Sequence, residues 1–230
     1  MMKAIISQRE SLNEFGEAIE CLEARYVQYF ESFGLKLQSC SNFSETSINL
    51  IDSNIQFIIL TGGGAAPSDY FINSHGEFEQ LNRNKTELLL IKKSIQLNIP
   101  IIAICRGFQF INGYLGGKID ELKYTINRPI NKEHLIALGK NQIFVNNYHN
   151  HGIPLKLLAH GLNIIGLDSE NNHVEAVYNS QFRWLGLQWH PEREVNDSFS
   201  RNVMNELIRD FVNNKGVIDE SYYTCSWPGH

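Results

Sequence analysis

Two short runs of almost unbroken apolar residues constrain the fold of this chain most: Ile55-Gln56-Phe57-Ile58-Ile59-Leu60 and Ile101-Ile102-Ala103-Ile104. A strand with one face in water alternates apolar and polar side chains, whereas a continuous apolar run has both faces buried. Such strands belong to a parallel sheet covered by helices on two sides. The intervening sequence agrees, because Leu88, Leu89, Ile91, Ile95 and Leu97 recur near helical spacing within 82–97. Residues 3–7 read as a first strand and 35–37 as the start of a second. Between them, 17–33 reads as a helix carrying Ile19, Leu22, Tyr26, Tyr29 and Phe33, stopped by Gly34. After Gly116-Gly117, residues 118–155 read as polar and loop-rich, with Asn127, Arg128, Pro129 and Asn131. Strands are then expected at 163–167, 173–178 and 184–188, and a helix at 197–212. With no internal repeat or low-complexity linker, the simplest organisation is one α/β domain over 1–214 and a tail over 215–230.

Net charge is −5 and no run of Lys or Arg occurs, which argues against a chain built to coat nucleic acid. A local basic pocket for one small anion stays compatible with that balance. No stretch reaches the roughly 20 apolar residues of a membrane-spanning helix. The start, Met1-Met2-Lys3-Ala4-Ile5-Ile6-Ser7, is charged too early for a signal peptide, so a cytoplasmic protein without membrane contact is expected. Cys21, Cys40, Cys105 and Cys225 form no CxxC pair, a poor pattern for zinc or a disulfide framework.

Cys105 stands apart from the other three. A buried strand ends at it and a helix starts at once, with Phe110, Ile111 and Leu115 on its apolar face. Small residues, Ala103 and Gly107, lie two before and two after, as a sharp strand-to-helix turn requires. Such a turn holds sulfur at a helix N-terminus, where thiolate is favoured, and aims the Arg106 N–H at a developing oxyanion. A buried structural cysteine at a sheet end fits these residues equally well. Distant residues bear on the choice. A strand ending in Gln188-Trp189-His190-Pro191-Glu192 sets a base at the sheet edge, and Glu192 can bend back to orient the His190 ring.

AICRGFQ at 103–109 and LGLQWHPE at 185–192 resemble the two signatures of class I glutamine amidotransferase-like proteins, and more narrowly the peptidase C26 γ-glutamyl hydrolases. The resemblance runs from Lys3 to about residue 212. It implies a flavodoxin-like three-layer α/β sandwich with a central mostly parallel sheet, and a Cys105–His190–Glu192 triad. The substrate would be a small γ-glutamyl amide, with no cofactor. The triple-glycine loop after Leu60 would supply an oxyanion N–H from Gly63, beside that of Arg106. Asn147, Tyr148, His149 and Gln109 would hold the glutamyl group, although Gln109 also reads as a helix surface residue. The chain departs from the family at Ala103, where glycine is usual, and at Ala65, where an acid is common. His149 and His151 lack a third ligand at metal spacing, so no metal is expected. Arg83 and Glu87 resemble a helix-opening segment, with Glu87 read as a helix-start residue. Segments 6–9 and 23–26 resemble family members acting on a γ-glutamyl conjugate of a nucleotide pyrophosphate, which makes Arg106, Lys123, Arg128 and His151 candidate anion contacts.

Overall fold

The structure is a computed structural model describing residues 2–44, 48, 49, 51–73, 76–122, 132–168 and 170–223. β1 (Met2–Ser7) leads into a hairpin, β2 (Arg9–Leu12) and β3 (Ala18–Cys21), followed by α1 (Ala24–Glu31), β4 (Leu35–Cys40) and β5 (Ile55–Leu60). α2 (Leu81–Leu97) and α3 (Arg106–Tyr114) bracket β6 (Ile101–Ile104). β7 (Asp120–Glu121), β8 (Glu133–Leu138), β9 (Asn141–Asn146) and β10 (His151–Pro154) come next. β11 (Asn163–Asp168), β12 (His173–Asn179), β13 (Trp184–Leu187), α4 (Ser198–Asn213) and α5 (Glu220–Tyr223) follow. The main sheet runs β4-β1-β5-β6-β13-β12-β11-β8-β9. Pairing is parallel from β4 across to β13 and antiparallel beyond it.

Helices cover both faces, giving three layers. Phe57 and Ile59 of β5, with Ile102 and Ile104 of β6, join the core formed with α1 and α4. Ile58, Leu60, Ile101 and Ala103 join the opposite core, formed with α2 and α3. The unbroken apolar runs therefore reflect strands buried on both sides.

Two expectations are corrected. The stretch 17–33 is not one helix: its first part is β3, and α1 starts only at Ala24. Asn13 Oδ1 accepts the N–H groups of Phe15 (3.0 Å) and Glu17 (2.9 Å), and Gly16 takes φ +77°, so the chain turns back into a hairpin. The stretch 118–155 is also not loop throughout, since it contains β7 to β10. β8 alternates buried and less buried residues, and such half-exposed strands carry enough polar side chains to read as loop. Beyond α4, Ile218 and Tyr223 are buried in the core shared with that helix.

Candidate active site

β6 and α3 meet at Cys105 with no intervening loop. Cys105 takes φ 52° and ψ −105°, a conformation that costs a non-glycine residue about 1–3 kcal/mol and persists only where its surroundings impose it. Its N–H donates to the Leu187 carbonyl at 2.7 Å, tying the elbow to β13. Gly107 is required: a Cβ there would stand 2.4 Å from the Leu60 carbonyl oxygen. Ala103 is fully buried opposite Gly186 of β13, so the departure from glycine is accommodated. As the first residue of α3, Arg106 has a backbone N–H with no acceptor one turn back in the helix.

His190 follows β13 and is gripped through its backbone. Its N–H donates to Asn146 Oδ1 at 2.9 Å, and its carbonyl accepts from Asn146 Nδ2 at 2.8 Å. Its Nδ1 lies 2.6 Å from Glu192 Oε1, and both side chains are buried. Burial opposes a charge on this ring. The Cys105 sulfur, through charge and a hydrogen bond, and the Glu192 carboxylate outweigh burial and push His190 up to about 10. The imidazolium is thus the favoured form beside the sulfur. Tyr26 of α1 completes the cluster, with its hydroxyl 3.4 Å from His190 Nδ1 and accepting the Gly62 N–H at 2.9 Å. Burial, then the charge of Glu192, raise the Tyr26 hydroxyl well above its ordinary value, so it stays protonated.

The glycine loop packs against this cluster. A Cβ on Gly62 would stand 2.6 Å from His190 Cε1 and 3.2 Å from Cys105 Cβ, so only glycine fits. Gly63 and Gly64 take φ +88° and +73°. Arg83 holds the loop by its carbonyls: Nη2 donates to Thr61 O at 2.6 Å and Gly62 O at 3.2 Å, and Nη1 to Gly63 O at 2.7 Å. With the Gly62 N–H taken by Tyr26, the Gly63 N–H is the next donor along the loop.

Glu87 has a larger structural task than a helix-start residue. It pairs with Arg83 Nε at 2.8 Å and with Arg106 Nη1, all fully buried, and accepts the Ser7 hydroxyl at 2.8 Å. Burial alone would raise its carboxyl, but Arg106 and then Arg83 bring it below the ordinary value. The Arg106 side chain also donates to the Ala65 carbonyl at 2.8 Å and to Asn84. It is therefore committed to the scaffold, and its place among the candidate anion contacts is withdrawn.

Gln109 is buried rather than a surface residue. Its amide donates to the His151 carbonyl at 2.9 Å and lies 3.4 Å from Gln188 Oε1, while Gln188 Nε2 reaches Cys105 Sγ at 3.8 Å. His149 is buried with Nδ1 2.9 Å from the same carbonyl, so the two residues converge there. Asn147 is buried, whereas Tyr148 is 43% exposed, edge-on to the His190 ring at 6.1 Å and stacked under Arg193. His151 lies 3.5 Å from Glu77, and Lys123 and Arg128 lie outside the described residues. Among the described residues, His134, Asp168 and Glu175 bring three ligand-type atoms within 4.8 Å of one another on β8, β11 and β12. Asp168 accepts from Asn171 N (3.1 Å) and Nδ2 (2.8 Å), and the group includes neither His149 nor His151.

Tyr26, Asn146 and Gln188 were not assigned roles from sequence. Gln188 stands inside the LGLQWHPE signature, two residues before the histidine, and that position was the available signal. Tyr26 lies in the segment 23–26 and Asn146 opens the segment resembling a glutamyl-binding one, but their contacts with His190 arise only through the fold.

The chain is 32% identical over 166 residues to a candidate glutamine amidotransferase of Schizosaccharomyces pombe, covering 63% of this chain and 64% of that protein. It is 29% identical over 156 residues to a candidate glutamine amidotransferase-like protein of Lactococcus lactis, covering 59% and 65%. The chain thus spans just under two thirds of the length of these relatives. A GMP synthase of Prochlorococcus marinus matches over 85% of this chain but 34% of its own length, at 27% identity. The structure of a glutamine amidotransferase from Thermotoga maritima superposes with a TM-score of 0.63 at 14% identity, covering 94% of this chain and 99% of that one. That likeness shows the shared three-layer fold. The Peptidase C26 family matches residues 3–192, and this chain belongs to that family.

Proposed function

We propose that the protein hydrolyses a γ-glutamyl amide through a γ-glutamyl thioester on Cys105. The observation that carries this reading is the geometry of the strand-to-helix elbow: Cys105 stands at the start of α3 beside His190, whose Nδ1 lies 2.6 Å from Glu192 Oε1. The Cys105 thiolate attacks the γ-carbonyl, and the N–H groups of Gly63 and Arg106 receive the oxyanion. The imidazolium of His190 gives its proton to the departing nitrogen and the amine leaves. His190, now neutral, takes a proton from water, which attacks the thioester and releases glutamate. Glu192 and Tyr26 hold the ring in place throughout. No membrane-crossing helix occurs among the described residues.

Our more specific reading of the substrate is γ-glutamyl-CDP-amidate, cleaved to glutamate and cytidine diphosphoramidate in capsule phosphoramidate biosynthesis. It rests on the resemblance of segments 6–9 and 23–26. γ-Glutamyl-γ-aminobutyrate and γ-glutamyl polyamines are the alternatives. A second reading, a glutaminase subunit feeding a synthetase, is favoured by the match to GMP synthases over most of this chain. Glutamate release by wild type and by Cys105→Ala from glutamine, γ-glutamyl-γ-aminobutyrate, a γ-glutamyl polyamine and γ-glutamyl-CDP-amidate tests these readings. Cys105-dependent turnover of one conjugate well above glutamine supports the hydrolase. Turnover of glutamine alone moves the protein to the glutaminase reading.

A further inference from the structure

The chemistry above leaves Arg9 on β2 without a task. The backbone beside it is fixed. The Glu10 carboxylate accepts the N–H groups of Asn82 (3.0 Å) and Arg83 (3.2 Å) at the start of α2, and the Glu10 N–H donates to Gln80 Oε1 at 3.0 Å. Gln80 also donates to the Gly63 carbonyl at 3.3 Å, so hairpin and glycine loop form one unit. The Arg9 side chain lies along the bare face of Gly63, where a Cβ would stand 3.0 Å from its Cδ and 3.3 Å from its Nη1.

No ion pair or hydrogen bond holds the Arg9 guanidinium among the described residues. Glu23 is the one carboxylate among the described residues lining the same small cavity, and it is already paired with Arg193 at 3.1 and 3.2 Å. A half-buried guanidinium with open donors, packed on Gly63 of the glycine loop and sharing cavity walls with Tyr26 and Gly62, matches a carboxylate or phosphate. Its position selects which part of a substrate it meets. Tyr26 and Gly62, which touch His190, line the Arg9 cavity, whereas Gln109 reaches toward the sulfur from α3 through Gln188. With the glutamyl chain assigned to Gln109, the amine half is the part of the substrate left to meet Arg9 across the Gly62–Gly63 loop.

We infer that Arg9 holds an anionic group, carboxylate or phosphate, on the amine half of the substrate. This inference rests on the γ-glutamyl hydrolase reading. Matched substrates test it: γ-glutamyl-γ-aminobutyrate and γ-glutamyl-2-aminoethyl phosphate, against uncharged γ-glutamyl-n-butylamide, with wild type, Arg9→Ala and Arg9→Lys. Wild type favours the anionic pair in kcat/KM by about 10-fold or more, in line with a charge-assisted hydrogen bond. Arg9→Ala brings that ratio close to one, mainly through KM, and Arg9→Lys restores part of it. An equal loss on all three substrates overturns the inference. If that equal loss vanishes on 4-aminobutanoyl-n-butylamide, which lacks the α-carboxylate, the anion held is the glutamyl one. A binding arm needs no turnover: inorganic pyrophosphate is titrated calorimetrically into Cys105→Ala, with and without Arg9→Ala. Weaker binding without Arg9 supports the inference, and equal or absent binding overturns it. Absence of all γ-glutamyl hydrolysis by wild type counts against the function proposed above, and the binding arm then decides Arg9 alone.

Discussion

Two buried clusters of charge flank Cys105, and they are built for opposite ends. Behind the elbow, Glu87 sits between Arg83 and Arg106, and those side chains also hold the carbonyls of the glycine loop, Ala65 O and the Asn84 side chain. In front of it, Glu192 and Tyr26 surround His190, and the imidazole faces the sulfur. In the rear cluster two guanidinium groups share one carboxylate, and carbonyls and the Asn84 side chain take their other donors, so each charged group is held by fixed neighbours. In the front cluster the charge on the ring depends on the charge on sulfur, so removing either changes the other. Burial and charge alone do not mark a reactive site. A pair whose two members can exchange one proton does.

Breaking the front cluster should cost turnover far more than stability. Glu192→Gln is expected to lower kcat by about 10²–10⁴-fold, because the ring loses the carboxylate that supports its charge. Some stability is lost with it, less than behind the elbow, because the ring can give up its proton and stay buried as the neutral form. Breaking the rear cluster should do the reverse. Glu87→Gln leaves two buried guanidinium groups without their carboxylate and is expected to cost about 3–5 kcal/mol in urea unfolding. A stable Glu87→Gln protein with reduced turnover alone would erase the distinction. Gly62→Ala sharpens it from the loop side. The added methyl displaces His190 or Cys105, and a displacement of about 1 Å costs about 10²-fold in rate.

The smallest expected effect is on pH dependence. His190 is raised in the folded protein to about 10, from an unfolded value of about 6.5. Its contribution to stability is therefore complete below about pH 6.5 and is lost as pH rises toward about 10. Cys105→Ala removes the sulfur that helps raise the ring. The imidazole titration, followed by proton NMR, should move down in that variant, and the alkaline loss of stability should shrink. An unchanged titration would mean that sulfur and imidazole are not coupled.

The parallel half of the molecule and its elbow were legible in the sequence because their signals are local. An unbroken apolar run specifies a strand buried on both faces, and Gly107 marks the place where the helix backs onto Leu60. Gly62 stood in a visible glycine loop, but its contact with His190 depends on the assembled fold. In the antiparallel half β11 and β12 were legible as strands, whereas 118–155, which holds β7 to β10, reads as loop because β8 is only half buried. Residues 17–33 misled because Ile19 and Leu22 fall near helical spacing, while the Asn13–Gly16 turn upstream dictates a hairpin. The rear cluster stayed hidden because Arg83 to Glu87 is an ordinary i,i+4 pair until Arg106 arrives from another element.

The central claim is that Cys105 becomes acylated, and trapping the acyl-enzyme tests it most directly. The protein would be mixed with an activated γ-glutamyl ester, quenched in acid within milliseconds to seconds, digested and examined by mass spectrometry. The account predicts one glutamyl group on the peptide bearing Cys105, absent from Cys105→Ala and longer-lived in Glu192→Gln. Glutamate release at wild-type rate by Cys105→Ala, or a glutamyl group on any other residue, would contradict it.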